Sequence, residues 1–141
     1  MSLTNVWVQT WADGLIRADQ IVGIDAHPTP AVAGKPSRWL VDAVLASPIG
    51  SGTADRWDVT VLHRTLIQIG REPRNAPLDL ARLLAQLDLV SAAGVITVSA
   101  EPGSAEAGGA HVEQTHQDQL RFRFVPFAHP EPGRHTDPEY L

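Results

Sequence analysis

The stretch NAPLDLARLLAQLDLVSAAGVITV, residues 75–98, decides the class of fold, because a helical period of apolar residues runs through it and gives way directly to a β-rich run. Leu80, Leu83, Leu84, Leu87 and then Val90 or Ser91 follow the i, i+3, i+4, i+7 spacing that lays side chains on one stripe, while Asp79, Arg82, Gln86 and Asp88 lie largely elsewhere on the wheel. Asn75 or Ala76 stands where a cap belongs. Pro77 falls in the first turn, where a missing N–H costs nothing, and Asp79 complements the positive end of the helix dipole. Gly94 reads as the C-terminal cap. The stretch therefore predicts one long helix over about 76–92, followed by a strand at Val95-Ile96-Thr97-Val98.

Upstream, the apolar pattern changes to that of strands. Val6 to Trp11, the turn pair Asp13-Gly14, and Leu15 to Ile24 read as a β-hairpin. Val6 to Ile24 also resembles the opening hairpin of small bacterial proteins, which implies that hairpin and carries no activity with it. His27-Pro28-Thr29-Pro30 through Pro36-Ser37 holds three prolines and reads as a surface loop. Arg38 to Ala46, interrupted only by Asp42, is the near-continuous apolar run of a central strand covered on both faces. Pro48 and Gly50-Ser51-Gly52 are expected to end it. Trp57, Val59 and Val61 then alternate with Asp58 and Thr60, so His63 falls on the buried parity of a strand that Leu66-Ile67-Gln68-Ile69 extends.

Downstream, EPGSAEAGGA, residues 101–110, has almost nothing to bury and reads as a flexible loop. Leu120, Phe122 and Phe124 alternate with Arg121 and Arg123, which makes 119–125 the best-specified strand. The order is four strands, one helix and two strands. It predicts an α+β fold: a twisted, mostly antiparallel sheet of about six strands, open or curling into a partial barrel, with the helix on one face. A single domain over 1–128 would carry an extended or disordered tail over 129–141.

Composition narrows the function. With 43% apolar and 19% charged residues, the chain of 141 residues has the balance of a folded domain. The net charge of −5 and the absence of a basic run argue against a nucleic-acid partner. No apolar stretch reaches the roughly 20 residues of a membrane span, and Met1-Ser2-Leu3-Thr4 lacks the features of a signal peptide. A soluble, cytoplasmic protein is expected. One lysine against ten arginines points to a high-GC bacterial genome.

There is no cysteine, so a metal would need His, Asp or Glu ligands. His111, Glu113 and His116 are the candidates, although two histidines five residues apart fit neither the zincin nor the deaminase spacing. His63 is the candidate for acid–base work, because a histidine on a buried face must find hydrogen-bond partners. The other loop histidines, His27, His129 and His135, read as polar loop residues. No serine has a nucleophile-elbow context, and Gly50-Ser51-Gly52 lacks the lysine of a phosphate loop. No cofactor is indicated.

Trp7, Trp11, Trp39 and Trp57 concentrate large amphipathic rings on predicted strands and are the interface candidates. One helix covers only one face of a sheet, so the simplest cover for the other is a second copy of the chain. The sequence thus favours a non-enzymatic binding or assembly protein that forms a homodimer or higher homo-oligomer. A small His- or metal-dependent enzyme with its site at the sheet edge, and a small-molecule binding domain, stand as the alternatives.

Overall fold

The computed structural model describes residues 1–12, 14–53, 56–101 and 119–128. In chain order they form β1 (Val6–Gln9), β2 (Leu15–Arg17), a 3₁₀ turn (Ala18–Gln20), β3 (Ile21–Pro28), β4 (Trp39–Thr53), β5 (Arg56–Ile69), α1 (Ala76–Leu89), β6 (Gly94–Glu101) and β7 (Gln119–Pro126). The fold is α+β. Among the described residues seven strands divide between a four-stranded sheet, β2-β1-β6-β7, and a three-stranded sheet, β3-β4-β5, rather than lying in one, and neither closes into a barrel. All pairings are antiparallel except β1 with β6.

The opening hairpin forms as expected. Thr10 donates from both N and Oγ1 to the Gly14 carbonyl, at 2.8 and 3.0 Å, and Gly14 takes a φ of 147° that disfavours a side chain. The apolar run Leu15–Ile24 does not continue as one strand. Arg17 bonds Asp19 at 2.6 Å, Ala18 is buried, and the resulting turn sends β3 into the other sheet. β3 runs on through His27 to Pro28, so the loop begins only at Thr29. Its neck is tied by Thr29: its N–H donates to the Arg38 carbonyl, and its hydroxyl and carbonyl accept from Arg38 N and Ser37 Oγ.

β4 is the central strand of its sheet, as its apolar run predicts, but it passes Pro48 and continues to Thr53. The pairing with β5 absorbs the proline through irregularities between Val44 and Ile49 and again before Ser51. A further bulge lies where Val41 pairs with Ile67 but Asp42 pairs with Thr65, leaving Leu66 extra. One inserted residue reverses the facing of everything before it on that strand. His63, expected on the buried side, is instead on the outer face with its side chain 52% exposed.

The helix stops at Leu89, short of the predicted Ser91 and Ala92. Ser91 takes the left-handed conformation (φ 46°), with its N–H returning to the Asp88 carbonyl and that of Ala92 to Leu87, which closes the helix without glycine. Gly94 has a different task. It opens β6, and a Cβ there would run into the Val125 carbonyl oxygen and the Phe124 ring of β7. Val6, Val8, Ile16 and Ile96 from one sheet, Ala43, Leu45 and Leu66 from the other, and Leu80 and Leu87 from the helix form one buried cluster. The helix packs on β3 and β7, edge strands of the two sheets. The expected cover of the sheet's inner face is therefore shared between a helix and a second sheet. Among the described residues no helix is long and apolar enough to cross a membrane.

Candidate functional site

Alternation along β4 places Val41, Ala43 and Leu45 in the core and Leu40, Asp42 and Val44 on the outer face of the three-stranded sheet. Register then fixes their neighbours. Asp42 stands between Asp25 and Thr65, Leu40 between His27 and Gln68, and Val44 between Gly23 and His63. Asp42 is the centre of this face, with a histidine on one diagonal from each flanking strand.

The side chains follow the backbone. Asp42 Oδ2 lies 3.7 Å from His27 Nε2 and 4.0 Å from His63 Nδ1, and the other ring nitrogen of His27 lies 3.4 Å from Asp25 Oδ2. Asp42 is 4% exposed, whereas both imidazoles are about half exposed. Asp42 Oδ1 and His27 Nδ1 are buried atoms with no hydrogen-bond partner. A buried carboxylate is expensive unless paired, and nothing here stands at the 2.7–2.9 Å of a charge-assisted hydrogen bond. The arrangement offers an anionic anchor below and two nitrogen donors above, open to solvent.

The sequence pointed to one of these four residues. His63 is brought into the cluster through the bulge at Leu66 rather than by the parity argued for it. The sequence reads His27 as a loop residue, because the prolines after it mask the end of β3. Asp42 reads in the sequence only as an interruption of an apolar run; a lone acid at the middle of a central strand is the available signal. The metal candidates, His111, Glu113 and His116, lie outside the described residues, as do the loop 102–110 and the tail 129–141. Among the described residues no group of three or more His, Asp or Glu side chains is placed so that it could hold a metal ion.

Beside this face, Thr29, Pro30, Val32, Lys35, Pro36, Arg38 and Gln68 line a hollow of about 350 Å³ under the proline-rich loop. Gln68 belongs to both. The tryptophans are dispersed. Trp39 packs on Val41, Ile67, Ile69 and Ala76 in a second core cluster, and Trp11 is 55% exposed, its backbone N–H donating to the Thr65 carbonyl. Trp7 faces outward on the four-stranded sheet, in one row with Arg17, Val95 and Val125. The side chain of Trp57 lies outside the described residues. Comparison of the chain with protein-family models, with curated proteins and with solved structures gives no match.

Proposed function

We propose that the chain is a binding protein whose ligand sits on the outer face of the three-stranded sheet, over Asp42, His27 and His63. The observation that carries this reading is the buried Asp42 carboxylate, one oxygen unpartnered and the other facing two imidazoles at more than hydrogen-bond distance. Folding alone gives no reason to keep such a group, since a hydrophobic residue there is as stable or more so. Binding is favoured over catalysis because the geometry supplies donors and no positioned nucleophile. A thermal-shift screen of small carboxylates, phosphates, amines and divalent salts tests it: at least one class raises the midpoint of the wild type and not of His63→Ala. Equal shifts in both proteins reject the site.

Self-association is the second reading, favoured by the Trp7-Val95-Val125 row and by exposed Leu15 and Phe127 on or beside the four-stranded sheet. Trp7 would be the anchor of a homodimer. Trp7→Ser is expected to shift the wild type's oligomeric mass toward the monomer in light scattering, and a wild type that is monomeric at high concentration rejects it. A cysteine-free chain fits a reducing, cytoplasmic address in a bacterium, which fractionation checks.

A further inference from the structure

We propose that the hollow under the proline-rich loop is a binding site for a small organic carboxylate with an apolar body. It is separate from the reading of the histidine–aspartate face, and its test turns on different residues.

The loop, residues 29–38, has its shape before any ligand arrives. At the neck the Thr29 N–H donates to the Arg38 carbonyl at 2.6 Å, the Arg38 N–H to Thr29 Oγ1 at 2.9 Å and Ser37 Oγ to the Thr29 carbonyl at 2.6 Å. At the tip the Lys35 N–H returns to the Val32 carbonyl at 2.8 Å, and Gly34, with φ 83°, takes the left-handed third position of that turn. Pro30 and Pro36 fix φ on the two arms. A loop tied at neck and tip loses little freedom when a ligand enters, which favours binding.

Charge says what enters. The chain has a net charge of −5, yet its one lysine, Lys35, lines this hollow together with Arg38, and no acidic side chain among the described residues does so. Neither cation has an ion-pair partner among the described residues, whereas Arg17, Arg74 and Arg82 each reach an aspartate or glutamate. An anion between two such cations replaces their mutual repulsion by two attractions. The planar fork of arginine matches a carboxylate in particular.

The rest of the lining sets the body of the ligand. Pro30, Val32 and Pro36 supply apolar wall, and Val32 is 64% exposed at the lip. That wall offers nothing to a bare inorganic anion and covers an aliphatic or aromatic group. Gln68 brings an amide from β5, in one row with Leu40 and His27, so the hollow opens one row beyond the histidine. Its volume of about 350 Å³ lies near the lower end of the roughly 300–1,000 Å³ of ligand pockets, which suits a compact metabolite.

Because Lys35 is the only lysine, reductive methylation with isotope-labelled formaldehyde marks it and the α-amino group alone, and keeps its charge. The test is magnetic-resonance titration of the full-length protein so labelled, with benzoate, benzamide and inorganic phosphate as probes. Benzoate is expected to move the Lys35 methyl signal and the Gln68 side-chain amide saturably. Benzamide has the ring without the charge, phosphate the charge without the ring, and each binds at least roughly 10-fold more weakly. Arg38→Gln and Lys35→Met, the latter followed at Gln68, each weaken benzoate by a similar factor, and His63→Ala leaves it unchanged. Both cationic side chains are exposed and the neck uses only the backbone of Arg38, so the variants fold. No saturable shift, or benzamide or phosphate binding as well as benzoate, overturns the proposal. A benzoate response lost in His63→Ala also overturns it and assigns the ligand to the sheet face. A response kept in His63→Ala and lost in Arg38→Gln supports the hollow, whatever the face itself binds.

Discussion

The buried Asp42 carboxyl group, with one oxygen unpartnered, is a burden on the folded state, and the burden can be measured. Asp42→Asn keeps the shape and removes the charge, so the variant is expected to be more stable than the wild type by roughly 1 kcal/mol in urea titration. The same substitution abolishes binding at the face. Gain of stability with loss of binding is the signature of a residue retained for function, and a destabilised Asp42→Asn would instead mark it as structural. Gly94 makes the opposite case. With the Val125 carbonyl and the Phe124 ring against its Cα, Gly94→Ala is expected to cost about 1–3 kcal/mol and to leave the histidine face unchanged. Its conformation is ordinary; contact makes the demand.

Helix α1 was the most legible element, because four leucines at helical spacing can be satisfied in few other ways. Leu80 is fully buried in the cluster that the helix shares with both sheets, and Leu80→Ala is expected to cost about 2–5 kcal/mol in thermal or denaturant unfolding. Asn75, at the cap, makes no side-chain cap hydrogen bond and has helical dihedrals, so Asn75→Ala should stay within about 0.5 kcal/mol of wild type. The strands were legible as strands and less so in their facing. Alternation gave Leu120, Phe122 and Phe124 correctly, because β7 pairs with β6 without a break. It failed at His63, because a bulge is set by pairing with a partner strand and leaves no trace in the local pattern. The same limit hid the site: Asp25, His27, Asp42 and His63 lie on three strands and meet only through register. Parity also could not say that the turn at Ala18–Gln20 hands β3 to a second sheet.

At the scale of the molecule, both sheets and the helix contribute to one buried cluster, with Ile24, Val98 and Phe122 packed against it and against the smaller cluster around Val41 and Ile67. Nothing in that arrangement lets one sheet melt alone. Denaturant unfolding is expected to be a single transition, with tryptophan fluorescence and far-ultraviolet circular dichroism coincident, and separated transitions would contradict a shared core. The edge strand β7 sets Arg121 and Arg123 on its outer face, the kind of charge that discourages strand-to-strand aggregation. Any assembly is therefore better sought across the Trp7 row than along that edge.

The parallel pairing of β1 with β6 also orders events in time. Val6 to Val8 leave the ribosome early, yet their permanent neighbours are Gly94 to Ile96. During synthesis β3, β4 and β5 can pair with one another as soon as they emerge, whereas β1 has only the short β2 for company until the whole helix and the start of β6 have been made. The four-stranded sheet is thus the late-forming half, and the first strand of the chain is among the last to find its place.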